Sequence, residues 1–89
     1  MKGIITVIGK DNKGIIARVS NHVYLNGINI LDLSQTIIQG YFNMVMIVDL
    51  SGHEEDFLDL AASLEKLGEE IGVLIKLQHE DIFNSMHRI

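Results

Sequence analysis

Two glycines five positions apart, in Gly9-Lys10-Asp11-Asn12-Lys13-Gly14, lie where a strand-like run gives way to a helix-like one, the setting of a phosphate-binding loop. The residues that follow decide against that chemistry. A nucleotide hydrolase needs a lysine and a hydroxyl after the second glycine to hold the terminal phosphate and magnesium, and here Ile15 and Ile16 stand there instead. Two readings remain. Unpaired N–H groups at a helix start, a glycine that permits close backbone approach and two nearby lysines would suit a carboxylate; the same residues also make a tight turn with solvated lysines.

The other reactive side chains form no catalytic set. His79 and His87 are eight apart across a strand-to-helix junction, and His22 and His53 fall on different elements, so no helix-face pair with a third metal ligand emerges. Ser20, Ser34, Ser51, Ser63 and Ser85 have no histidine at a recognisable spacing for nucleophilic hydrolysis. Glu54, Glu55 and Asp56 read as charge placed at a helix start rather than as a catalytic pair. With no cysteine there is no disulfide, thiolate zinc site, iron–sulfur cluster or cysteine nucleophile. We therefore expect no enzyme activity, no metal and no cofactor.

The elements that position these residues follow from hydrophobic period. Ile4, Ile5, Val7 and Ile8 are apolar on both faces, as in an inner strand, predicted over 2–8. Ile16, Val19 and Val23 then recur at helical steps before Gly27, which predicts a helix over 14–26 with Asp11 or Asn12 as its cap. Residues 28–38 read as a strand with a bulge near Asp32 and Leu33, followed by a turn at Gly40-Tyr41. Phe42, Met44, Met46, Val48 and Leu50 alternate with Asn43, Val45, Ile47 and Asp49, a strand that closes a hairpin. Ser51-Gly52-His53-Glu54 has capping-box spacing, so a second helix is expected to start here. Phe57, Leu60, Ala61, Leu64, Leu67 and Ile71 carry it to about Ile71, with Gly68 as an earlier possible stop. Val73 to Leu77 reads as the last strand, and Ile82, Phe83, Met86 and Ile89 as the stripe of a short C-terminal helix.

Strand, helix, strand, strand, helix, strand is the split βαβ order of ferredoxin-like domains: an α+β sandwich with a four-stranded antiparallel sheet and two helices on one face. The opposite face would carry Ile5, Val7, Val45 and Ile47 or their neighbours, too much apolar area to leave wet. A homodimer or higher assembly would cover it; so would the C-terminal helix folded back. Eighty-nine residues, 47% of them apolar, make one domain over 1–89 that gains from burial between subunits.

Charge and composition narrow the partners. A formal charge of −5, with scattered basic residues, repels a phosphate backbone, and no basic side chain accompanies Tyr41 and Phe42 on their strand, so direct nucleic-acid binding is not expected. The N-terminal apolar run is too short for a signal peptide or a membrane span, which leads us to expect a cytoplasmic protein.

The run Ile4-Ile5-Thr6-Val7-Ile8-Gly9-Lys10-Asp11-Asn12-Lys13-Gly14-Ile15-Ile16-Ala17, then Leu25-Asn26-Gly27-Ile28-Asn29-Ile30 and Ser34-Gln35-Thr36, resembles an ACT domain. The family signature is D-x-x-G-[IVL], a dozen or so residues of helix, then G-x-N-I. The tail Glu80 to Ile89 is similar to the ending of a small, free-standing branch of that family.

The resemblance implies a regulatory module, not a catalyst, that senses a small molecule, usually an amino acid, at the interface of two paired domains. Carried over by position, Asp11, Asn12, Gly14 and Ile15 form the loop side of the site, and Asn29 and Ile30 the strand side. Asn29 and Asp11 suit an ammonium group, and the helix-start N–H groups suit a carboxylate. With no enzyme or repressor portion attached, the output passes to a separate regulated protein or to the assembly itself. Gene regulation in the manner of the glycine-cleavage repressor family is conceivable, though the chain has no DNA-reading element of its own. Some ACT domains bind nothing and hold subunits together, and that structural alternative stands beside the sensing one.

Overall fold

The computed structural model describes residues 1–10 and 13–81. Its sheet is built on β1 (Lys2–Lys10), whose mixed apolar run has no phase of its own. The neighbours supply one. In the pairing with β3 (Tyr41–Asp49), Ile5 stands opposite Met46 and Val7 opposite Met44. On the other side Ile5 meets Leu77 and Val7 meets Ile75 of β4 (Leu74–His79). Antiparallel partners share a face, so these side chains form one floor. β2 (Asn29–Ile38) adds the outer strand, giving the order β2-β3-β1-β4 with every pair antiparallel.

Two helices lie on that floor. α1 (Ile15–Leu25) inserts Ile15, Val19 and Val23, and α2 (Phe57–Ile71) inserts Leu60, Leu64 and Leu67. With Phe42, Met44, Met46, Val48, Leu50, Ile75 and Leu77 they form one buried cluster. Each fully buried aliphatic side chain contributes about 1.5–3 kcal/mol over its exposed state. A polar clip joins the helices: the Ser63 hydroxyl donates to the Leu60 carbonyl (2.8 Å) and is 2.9 Å from His22 Nε2. With its own proton committed, the hydroxyl accepts from that ring nitrogen.

Several expectations are corrected. Ile5 and Val7 lie under the helices, not beside Val45 and Ile47; the open face carries Ile4, Thr6 and Ile8 with them, because the buried methionines of β3 set the phase of β1. Ile4 is nevertheless only 4% exposed and stands apart from the helix-side cluster. The α1 stripe begins at Ile15 rather than Ile16, and the N-cap position is Gly14, not Asp11 or Asn12, both of which lie outside the described residues. The capping box does not form. Asp49 Oδ1 accepts both from the Ser51 hydroxyl (2.7 Å) and from its N–H (3.0 Å), so Ser51 is spent on a turn after β3, and α2 starts later, at Phe57.

Gly68 does not end α2; Gly72 does, in the left-handed region at φ 76°. The bulge falls between Ile30 and Asp32, slightly before the expected place. The hairpin turn is Gln39-Gly40, both with positive φ as the twist of a two-residue loop requires, and Tyr41 already belongs to β3. The expected C-terminal helical stripe, Ile82 to Ile89, lies outside the described residues.

Candidate functional site

The loop after β1 delivers the chain to Gly14, whose φ of 86° demands glycine although a Cβ there would touch nothing within 4 Å. Backbone conformation, not space, fixes this residue. The Gly14 carbonyl accepts from Arg18 N–H (2.9 Å), the first bond of α1. Ile15 follows with its side chain in the core at 3% exposure, so the loop receives only its backbone N–H. No side chain among the described residues caps this helix start, whose first-turn N–H groups have no partner within the helix.

Two recesses meet at Gly14 and Ile15. One, of about 270 Å³, lies between the start of α1 and the end of α2 and is lined by Lys13, Arg18, Glu70 and Ile71. Its Arg18–Glu70 pair is long, 3.5 Å, with both side chains more than half exposed, and contributes little. The second, of about 380 Å³, runs between α1 and the sheet edge. Its walls are Ile16, Ala17, Ile37 and Phe42, with Gln35 and Lys13 as the polar side chains.

The chain brings together only part of the expected site. Gly14 and Ile15 sit side by side, whereas Asn29 pairs with Asp49 and lies level with Lys2, at the far end of the sheet from the loop. β2 runs parallel to β1, and its opposite end, Ile38, is level with Lys10. Nine strand steps separate Asn29 from Ile38, roughly 30 Å. Sequence reasoning missed Gln35, Ile37 and Phe42. Level with the loop and on the helix side of the hairpin, they are found once the direction of β2 and the phase after its bulge are known.

At the Asn29 end, the two bonds from Ser51 hold the Asp49 carboxyl below its ordinary range. No group of three or more metal-ligating side chains converges among the described residues. Nor is any helix among them long and apolar enough to cross a membrane.

β2 is also the exposed edge of the sheet. Leu31, Ile37 and Ile38 are each more than half exposed, Ile30 is 39% exposed, and Tyr24 and Leu25 on α1 are more exposed still. The strand carries one charge, Asp32, and no lysine or proline. The other edge, β4, is shorter and carries Lys76. Long apolar edges are strand-pairing surfaces unless blocked.

A four-stranded sheet in this order with two helices packed on it defines a ferredoxin-like α+β module. The family model described as ACT domain matches residues 3–78. A UPF0237 protein of Bifidobacterium longum is 54% identical over 88 residues, covering 99% of this chain and 98% of that protein. Among solved structures, an ACT domain protein from Streptococcus pneumoniae is 42% identical and superposes with a TM-score of 0.84 over 98% of both chains. The regulatory subunit of aspartate kinase from Thermus thermophilus is 26% identical with a TM-score of 0.67, over 89% of this chain and 51% of that one. The chain belongs to the ACT domain family, a family of regulatory modules.

Proposed function

We propose that this protein is a non-catalytic regulatory module that binds an amino acid, or a similar small molecule, between two copies of itself. Asp11, Asn12, Gly14 and Ile15 serve as the loop side, and Asn29 and Ile30 of a second copy as the strand side. The observation that supports the reading is that Gly14 and Ile15 lie near one end of an exposed apolar edge strand and Asn29 and Ile30 form its other end. Antiparallel pairing of two β2 edges about a two-fold axis turns the Asn29 end of one copy toward the Gly14 end of the other. The pairing also covers Leu31, Ile37 and Ile38. The first-turn amides of α1 meet the carboxylate, and the Asn29 side-chain oxygen accepts from the ammonium group. The signal leaves through a separate regulated protein or through the state of the assembly.

Calorimetric titration with the twenty amino acids, together with light scattering, tests this. A saturable response that is lost in Asn29→Ala, from a species of twice the chain mass that Leu31→Lys dissociates, is the expected result. A stable pair that is silent across the panel makes the protein a structural oligomerisation module instead.

A further inference from the structure

Resting on that reading, we infer that the ligand is an amino acid with an apolar, aliphatic side chain, seated in the recess between α1 and β2. Of the two hollows that meet at Gly14, this one has the more apolar walls, Ile16, Ala17, Ile37 and Phe42, where the other sets Lys13, Arg18 and Glu70 against Ile71. Its volume of about 380 Å³ falls within the usual range for small-molecule pockets, about 300–1,000 Å³.

Ile37 stands opposite Phe42, on the helix side of the sheet, yet is 56% exposed because α1 does not reach over it. A ligand side chain laid there covers what the helix leaves uncovered. The polar groups lie where the ligand backbone would be: Lys13 and the α1 amides beside Gly14 answer the carboxylate, and Gln35 in the wall offers the ammonium group a second carbonyl beside that of Asn29 from the other copy. Among the described residues, Gln35 and Lys13 are the only polar side chains that line the recess, and both face the ligand backbone groups; a hydroxyl or amide on the ligand side chain lies against apolar walls, where a polar group is penalised on burial. A second copy turned about the β2 edge adds Ile30, another apolar wall. Each methylene buried here is worth about fourfold in affinity, so leucine, isoleucine and methionine bind at least about tenfold more tightly than serine, asparagine or aspartate.

Titration calorimetry of these six amino acids against the wild-type chain and against Ile37→Asn tests the inference. Ile37 is exposed in the single chain and lies on the proposed pairing edge, so an unchanged melting temperature without ligand verifies the fold and light scattering at twice the chain mass verifies that the variant still pairs. The expected result is the stated preference, with leucine affinity falling at least about tenfold in the variant. Tighter binding of serine, asparagine or aspartate overturns the apolar specificity and leaves the amino-acid reading standing. Leucine binding unchanged in Ile37→Asn overturns the assignment to this recess alone. Silence for these six, and for the rest of the twenty in the titration described above, overturns both readings.

Discussion

Replacing Gly68 with alanine sets two opposing effects against each other. Gly68 lies inside α2, where alanine is better than glycine by about 1 kcal/mol of helix propensity. The structure adds a larger cost. A Cβ built on Gly68 stands 2.6 Å from the Val73 carbonyl oxygen and 3.2 Å from Ile75 Cγ1. Reaching 3.0 Å from that oxygen takes a movement of at least 0.4 Å (3.0 − 2.6). The oxygen belongs to backbone, not to the end of a flexible side chain. Val73 donates its N–H to the Gly68 carbonyl at 2.9 Å, and the next residue, Leu74, is already paired with Ile8 on β1.

Overpacking of this kind costs about 2 kcal/mol, and loss of the Val73 bond about 1 kcal/mol more. Subtracting the propensity gain leaves a net loss of about 2 kcal/mol, which lowers Tm by roughly 10 °C in a domain of this size. The assay is thermal unfolding followed by circular dichroism at one fixed protein concentration, because association shifts Tm by mass action. Ala62→Gly, at an exposed position in the same helix, calibrates the propensity contribution alone at about 1 kcal/mol. A Gly68→Ala protein that melts at or above the wild-type temperature refutes the steric argument.

Two further outcomes follow from single contacts. Leu64 is fully buried between α2 and the sheet, so Leu64→Ala costs about 2–5 kcal/mol, read from the midpoint of urea unfolding. Ser51→Ala removes both the hydroxyl bond to Asp49 and any geometry it imposes on the turn, so the Asp49 pKa rises toward its ordinary value in a carboxyl-detected NMR titration. The folded-state pKa of Asp49 is depressed. Its contribution to stability is therefore present above the unfolded pKa and lost as pH falls through the folded one. The variant accordingly shows a flatter loss of stability on acidification.

What could be read directly from the chain was local. The α2 stripe from Phe57 to Ile71 repeats at helical steps and needs no partner to be recognised, and the alternation of Phe42, Met44, Met46 and Val48 identifies β3 with its buried face. Gly14 and Ile15 were likewise marked by a short motif. The rest depended on relations across the fold. β1 has isoleucine, threonine and valine on both sides, so its phase came from β3; Ser51 looked like a cap until Asp49, two residues earlier, competed for it. Gln35 and Ile37 entered the candidate site through strand direction and a bulge, neither of which has a residue signature at those positions. Asn29 lies at the far end of the sheet from the loop within one chain, so the proposed relation between them is one of two chains, which no single-chain pattern encodes.

The two borders of the sheet are unequal: one is a ten-residue strand interrupted by a bulge, the other a six-residue strand with a lysine. Joining through the longer border is isologous, since each molecule offers the same strip and consumes it in the act. In the proposed pairing the eight-stranded ribbon would end on both outer sides in the short borders that carry Lys76, which would stop growth after one step. The bulge confines good registry to the stretch from Asp32 to Ile38, which leaves little freedom to slip. If the proposed pairing holds, closure at two molecules rather than an open fibre is a consequence of the unequal borders and of the bulge at Leu31.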